Sequence, residues 1–527
     1  MIRERISILV EEALQTLGIS PEVVHIERTA DRTHGDYATN VALVYAKKDG
    51  VSPRDLAGKL VIELLKVPSE EISKIEIAGP GFINFFLTDT ALEDILAQGT
   101  TVEKVRADET INLEFISTNP TGELHLGHGR GAFFGDTLAR VLVLVGAKVT
   151  REFYINDSRE SKQIKELGTT ALGTGTQYKT PALEELMRGM DFSGLSEIDA
   201  GFNLASMIHK ENRLFIESGL GINFDAWYSE DSELRASGAP VAMLNLLKER
   251  GVTYEKEGAL WLTTSQYGDD EDRVIVRSDG TMPYFINDIA YHQKKFDRGF
   301  QTVLDVWGAD HHGHIKRMQA VGRLLGWPAD TRTALPQPTV FIAQMVSLKE
   351  DGIAKKMSKR AGTVILLRDL VEEFGIDVVR WFFNEKSLGT QMAFDMALAR
   401  EQSERNPVYY VQYAHARLAS IIEKCRGFSA QEDRLFSELM EIPSCRALVS
   451  TISEFPEVVV DTARDYHVHR LTIYATALAG AVNAFYRDVR VIEGDNYHPV
   501  ALMLAVRAKE TLAQTLSLLG IRAPESM

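Results

Sequence analysis

The chain has 527 residues, 45% of them hydrophobic and 25% charged, which is the balance of a globular protein too long for one hydrophobic core, so two to four domains are expected. Its 58 basic residues against 74 acidic ones give a net charge of −16, which argues against a general nucleic-acid coat or a binder of anionic membranes while leaving room for a local basic groove. Cys425 and Cys445 are too few for a disulfide scaffold or a cysteine zinc cluster, and with no signal-like or membrane-spanning apolar run a cytoplasmic location is expected.

Residues 1–105 read as a small α+β module. Apolar residues recur at helical spacing over residues 6–17 and 53–65, and "KIEIAGPGFINFFL" reads as two short strands around Gly79-Pro80-Gly81. Phe85 and Phe86 are expected in its core. From about residue 106 strands alternate with helices. "TINLEFIS" is a strand, residues 131–144 a helix, "KVTREFYIND" and "TVLDVWGAD" further strands, and residues 314–325 a helix. This alternation predicts a doubly wound parallel sheet, an α/β fold of Rossmann type, with ligands at the carboxyl ends of its strands. The domain runs over 106–395, and its mostly helical stretch 165–255 reads as an insertion. Beyond about 395 the strands stop, and long amphipathic helices such as "NPVYYVQYAHARLASIIEKC" and "HRLTIYATALAGAVNAFYRDV" predict a helical bundle over 396–527.

Three segments carry chemistry. In "EFISTNPTGELHLGHGRGAFFGD" (114–136) two histidines lie among glycines after a turn, yet the pattern fits neither common phosphate loop. His125 and His128 flank Leu126-Gly127 where a helix should begin, a place that suits an anion. Gly127, Gly129 and Gly131 let a nucleotide approach and let the helix sit close to the sheet. Histidines three apart share a face, and can donate to oxygens that gain charge when an α-phosphate is attacked. The alternative is a pair of satisfied histidines in a turn. "EDGIAKKMSKRAG" (350–362) gathers Lys355, Lys356, Lys359 and Arg360 around Ser358, either as a solvated basic turn or as a mobile loop closing over a triphosphate. "GADHHGH" (308–314) admits a metal site, or the DHH class of metal phosphoesterases, whose further aspartates have one nearby candidate in Asp270-Glu271-Asp272.

HxGH followed much later by KMSK[SR] on a doubly wound sheet is the signature of class I aminoacyl-tRNA synthetases. His125-Leu126-Gly127-His128 and Lys356-Met357-Ser358-Lys359-Arg360 match it in order, with Arg360 where many class I enzymes have serine. "DGTMPYFINDIAYH", "VWGADHHGH", "KMSKRAGTVILLRDL", "NPVYYVQYAHAR", "GDYATNVA", "AGPGFINF" and "LLGIRAPESM" resemble the arginyl-tRNA synthetase family in particular, over essentially the whole chain.

The residues fit arginine: Tyr284 and Asp288 are four apart and share a helix face, and a carboxylate takes a guanidinium by two charge-assisted hydrogen bonds. The resemblance adds Glu114 and Asn119 as binders of the arginine end groups, although Glu114 also reads as a strand carboxylate with a structural partner. It implies catalysis by His125, His128, Lys356 and Lys359, and an ATP site with Gly127, Gly308, Asp310 and Ser358. Phe82 and Asn84 match a motif that contacts the tRNA elbow. Tyr410 and Tyr413 would stack anticodon bases, though tyrosines at helical spacing also read as core. The resemblance further implies arginine–tRNA ligase activity with L-arginine, tRNA(Arg) and ATP, the last with Mg²⁺, as substrates. It implies activation of arginine only once tRNA is bound, no tightly bound cofactor, no membrane contact and a monomer.

Overall fold

Five parallel strands form the centre of the catalytic region: β1 (Thr110–Glu114), β2 (Lys148–Ile155), β3 (Ala226–Ser229), β4 (Thr302–Gly308) and β5 (Thr339–Ala343), in the spatial order β5-β4-β1-β2-β3. The computed structural model describes residues 2–29, 32–329, 337–350, 353–355, 365–430 and 435–527. Parallel strands covered on both faces are rich in apolar residues; Ile111, Leu113, Val303 and Leu304 are fully buried. The winding direction reverses between β1 and β4, and the crevice outside their carboxyl ends is where such sheets bind ligands. Helix α1 (Leu126–Leu144) follows β1, α2 (Tyr284–Asp297) precedes β4, and α3 (His314–Leu325) follows it.

The register has an electrostatic consequence. Glu114 of β1 lies beside Glu152 of β2 on one side and Asp305 of β4 on the other. Like charges opposite one another destabilise a sheet, so three carboxylates in a row require cations. Helix α2 and the residue after it supply them in Lys295 and Arg298, and the His292 ring makes a further polar contact with the row.

The strand β3 lies inside the stretch expected to be a mostly helical insertion, and it extends the central sheet as an edge strand paired with β2. Its four residues are too short to show a period. Helices Lys162–Ala171 and Glu197–Leu214 cross at two glycines. A Cβ at Gly201 would stand 1.8 Å from the Ile164 carbonyl oxygen, and one at Gly168 would stand 1.6 Å from that of Glu197. Gly201→Ala is therefore expected to force the pair apart, at a cost of about 1–3 kcal/mol or more. The check is hydrogen exchange: amides of both helices should exchange faster while those of α1 stay protected. Residues Thr253–Lys256, Ala259–Leu262 and Arg273–Val276 form a separate antiparallel sheet.

In the N-terminal module, strands Ile72–Ala78 and Phe82–Leu87 pair around the glycine turn as expected. Phe85 is core, whereas Phe86 is half-buried beneath Lys74, which lies 5.0 Å from its ring centre. The module sits on the C-terminal helices through buried polar contacts. Arg28 Nε donates to Glu457 at 3.1 Å, the Tyr37 hydroxyl donates to the same carboxylate at 2.5 Å, and Arg3 forks Asp461 at 2.6 and 2.8 Å.

The bundle contains Pro407–Cys425, Pro443–Ser453, Phe455–Asp465, Arg470–Asp488 and Pro499–Leu519. Strands do not stop at 395. Two-residue strands at Ser429–Ala430, Ile492–Glu493 and Asn496–Tyr497 pair between the helices, too short to leave a sequence pattern. Arg380, fully buried, ties the layers together: it donates to Asp136 of α1 at 2.8 Å and to the carbonyls of Leu220 and Leu519 at 2.7 and 3.3 Å.

Candidate active site

The chain leaves β1 through a strained turn. Ile116 and Ser117 have φ of 70° and 38°, a left-handed conformation that a β-branched residue rarely adopts. Neighbouring residues hold it: the Tyr154 N–H donates to Ser117 Oγ at 3.0 Å, and Asn156 Nδ2 donates to the Ser117 carbonyl at 3.1 Å. The turn ends β1 at Glu114, short of the expected "TINLEFIS", and delivers the chain to the crevice.

His125 caps α1, which starts at Leu126 rather than at Gly131. Its Nδ1 accepts from the Gly127 N–H at 3.1 Å, and its own N–H donates to His128 Nδ1 at 3.0 Å. The two rings stack with centroids 3.7 Å apart. Because each Nδ1 accepts, each neutral ring carries its proton on Nε2. Gly127 makes the cap possible, since a Cβ there would meet His125 Cε1 at 3.0 Å. The expected pair of histidines on one face is present, and their capping bonds set their tautomers.

Lys356, Ser358 and Lys359 lie outside the described residues. The chain after them returns to the histidines: the Leu126 N–H donates to the Ile365 carbonyl and the Leu367 N–H to that of Leu124, both at 2.9 Å. The other histidine-rich segment runs from the end of β4 into α3. Gly308 ends the strand, Asp310 and His311 are exposed, and a Cβ at Gly308 would stand 2.7 Å from Asp310 Oδ1. Among the described residues no three His, Cys, Asp or Glu side chains are grouped to hold a metal ion.

Asp288 of α2 stands in an acidic setting. Burial pushes the Asp288 carboxyl up to about 7, with Glu230 and Glu114 adding to the effect and His292 and Arg317 opposing it. Burial and the charges of Glu230, Asp288 and Glu114 likewise raise the Tyr154 phenol well above its ordinary value. Glu230, itself paired with Arg235 at 3.0 Å, and Glu114 thus act through their charge on both Asp288 and the Tyr154 phenol. Tyr284, one turn before Asp288, is half exposed, with its hydroxyl 3.3 Å from Ser161 Oγ. Asn119 is exposed in the turn between β1 and α1.

A family model described as "Arginyl tRNA synthetase N terminal domain" matches residues 4–87. One described as "tRNA synthetases class I (R), catalytic domain" matches 91–163 and 223–403, and a "DALR anticodon binding domain" matches 411–527. The chain is similar to arginine–tRNA ligase 1 of Halalkalibacterium halodurans, with 41% identity over all of this chain and 98% of that one. To the arginine–tRNA ligase of Listeria monocytogenes the identity is 39%, over 98% of this chain and 97% of the other.

The chain belongs to the arginyl-tRNA synthetase family.

A solved arginyl-tRNA synthetase of Thermus thermophilus superposes over the whole of both chains with a TM-score of 0.80 at 22% identity, a likeness of fold. In this member of the family the outer residues singled out from sequence divide. Phe82 is half-buried and Asn84 is 5% exposed; two apart on one strand, they share the face opposite the core residues Ile83, Phe85 and Leu87. Tyr410 is partly buried and packs against the bundle core. Tyr413 is exposed, and Arg417 lies 4.7 Å from its ring centre.

Several polar residues of the crevice escaped sequence reasoning. Glu230 sits in the stretch read as insertion, with no periodic signal to single it out. Lys295 and His292 could have been found, since Asp288, His292 and Lys295 recur at helical spacing along α2.

Proposed function

We propose that the crevice makes arginyl-adenylate from L-arginine and ATP and passes the arginyl group to the terminal adenosine of tRNA(Arg). The arginine carboxylate attacks the α-phosphate in line, and pyrophosphate leaves. His125 and His128, with Nε2–H as donors, stabilise the charge that grows on the α-phosphate oxygens. Gly127, Gly308 and Asp310 meet the nucleotide. Lys356, Ser358 and Lys359 bind and neutralise the departing pyrophosphate, and Mg²⁺ enters with ATP as part of the substrate. Positioning and charge supply the catalysis, with no covalent enzyme intermediate.

Asp288 takes the guanidinium, with Glu230 close by and Tyr284 walling the pocket. Glu114 pairs with the α-ammonium, and Asn119 stands near the same end of the amino acid. The observations that carry this reading are the capped pair His125 and His128 at the start of α1 and the Asp288 carboxyl on α2, whose charge burial, Glu230 and Glu114 oppose. A pocket of buried carboxylates suits a cation, and it rejects neutral side chains strongly enough that no editing site is needed. Residues 1–105 serve the tRNA elbow, 106–395 the chemistry and 396–527 the anticodon. Since all three functions lie on one chain, a cytoplasmic monomer suffices.

The test is arginine-dependent ATP–pyrophosphate exchange, with and without total tRNA. Exchange that requires tRNA is the expected result. Exchange without tRNA would break the coupling of activation to tRNA, and no exchange from folded protein in either case would overturn the reading.

A further inference from the structure

The row of carboxylates across β2, β1 and β4 is neutralised in a lopsided way. Glu152 is served by Arg298, whose two terminal nitrogens donate to it at 2.5 and 2.8 Å, and by the Tyr291 hydroxyl at 2.6 Å. Asp305 is served by His292 Nε2 at 2.8 Å and by Lys295 at 2.6 Å. The Nδ1 of His292 lies 2.7 Å from the Asp288 carbonyl, which can only accept. Glu114 has one cation among these contacts, Lys295, which donates to its Oε2 at 2.6 Å.

Lys295 is itself fully enclosed, with 0% of its side chain exposed, as are Glu152 and Asp305, whereas Glu114 keeps 9%. Of the three carboxylates, only Glu114 retains a surface for a ligand. Burial works against the charged ammonium of Lys295, but Asp305 and Glu114 outweigh it and hold the group above its ordinary range. The Tyr291 ring, 4.5 Å from Nζ, walls it further.

We propose that Lys295 is a positioning residue for the amino acid's α-ammonium: it fixes Glu114 through Oε2 and thereby leaves Oε1 as the partner of that ammonium. This rests on the reading of Glu114 as the α-ammonium partner. A carboxylate clamped at one oxygen has lost its torsional freedom before the ligand arrives, so the ion pair forms without a further ordering cost. Asp305 and His292 continue the same chain of contacts to the Asp288 backbone carbonyl.

The discriminating ligand is 5-guanidinopentanoate, which is arginine without its α-amino group. Competition of the two ligands against labelled arginine, on the full chain with tRNA present, measures the preference for arginine over this analogue. Lys295→Met is expected to lose about 10- to 100-fold of that preference, the range for a hydrogen bond to a charged group, with the affinity for 5-guanidinopentanoate nearly unchanged. Lys295→Leu likewise removes the donor and should show the same selective loss, so it serves if the methionine variant does not fold. Equal weakening of both ligands, or an undiminished preference in folded variants, would overturn the proposal, since a merely structural lysine cannot distinguish ligands that differ at the α-amino group. Glu114→Gln, run in parallel, should also lose the preference. If it does not, the reading of Glu114 fails and the role of Lys295 falls with it; if only the Lys295 variants keep the preference, the positioning role alone is wrong.

Discussion

Asp288→Asn is expected to raise the arginine KM by about two orders of magnitude or more, because truncating one partner of a buried charge pair costs roughly 2–5 kcal/mol. The ATP KM should change far less. The substitution keeps the shape of the side chain and removes only its charge, so a large effect isolates electrostatics from packing. Unchanged arginine affinity would remove Asp288 from the pocket. The unsubstituted protein should also carry a pH signature. Its Asp288 carboxyl titrates at about 7, raised by burial and by Glu230 and Glu114, and a guanidinium binds only the ionised form well. Arginine binding should therefore release a proton near neutrality. Arginine affinity should hold above pH 7 and fall as pH drops through it, approaching tenfold per unit. In Asp288→Asn this slope should vanish, a comparison that arginine KM measured from pH 6 to 8.5 would settle.

His128→Ala is expected to slow adenylate formation by about 10²–10³-fold, the usual loss when one donor to a developing oxyanion is removed. The donor matters most in the transition state, so arginine and ATP affinities should move much less than the rate. Single-turnover formation of the adenylate is the measurement; a loss seen only in substrate affinity would make the histidine a binding group instead. His125→Ala should match or exceed the defect, because His125 also caps α1, and a lost cap costs about 1 kcal/mol of helix stability in addition. That second component should appear as reduced protection of the Gly127 amide, whereas His128→Ala, which removes the acceptor of the His125 N–H, should expose the His125 amide instead.

Much of the catalytic region was legible because its signals are local. Alternating strands and helices gave the parallel sheet, and the spacing of His125 and His128 placed both on one face of a helix start. Asp288 was singled out from chemistry and helical spacing together. What stayed hidden depends on register and on distance along the chain. Glu152, Glu114 and Asp305 are unremarkable acidic residues in three separate strands, and only the pairing of those strands makes them a row. Lys295 reads as one lysine in "HQKKFDRGF" until the fold brings it between two of them. β3 and the two-residue strands of the bundle are too short to carry a period.

The placement of β1 between β2 and β4 also bears on how the protein is made. β2 follows β1 almost at once, but roughly 190 residues separate β1 from β4. At a synthesis rate of about 5–20 residues per second, β1 waits roughly 10–40 s on the ribosome for its second neighbour. Throughout that time the apolar edge of β1 lacks a partner, and Glu114 lacks both Lys295 and Asp305. The crevice is thus among the last parts of the catalytic region to be completed in the growing chain, and β1 is the strand most in need of protection from association with other nascent chains.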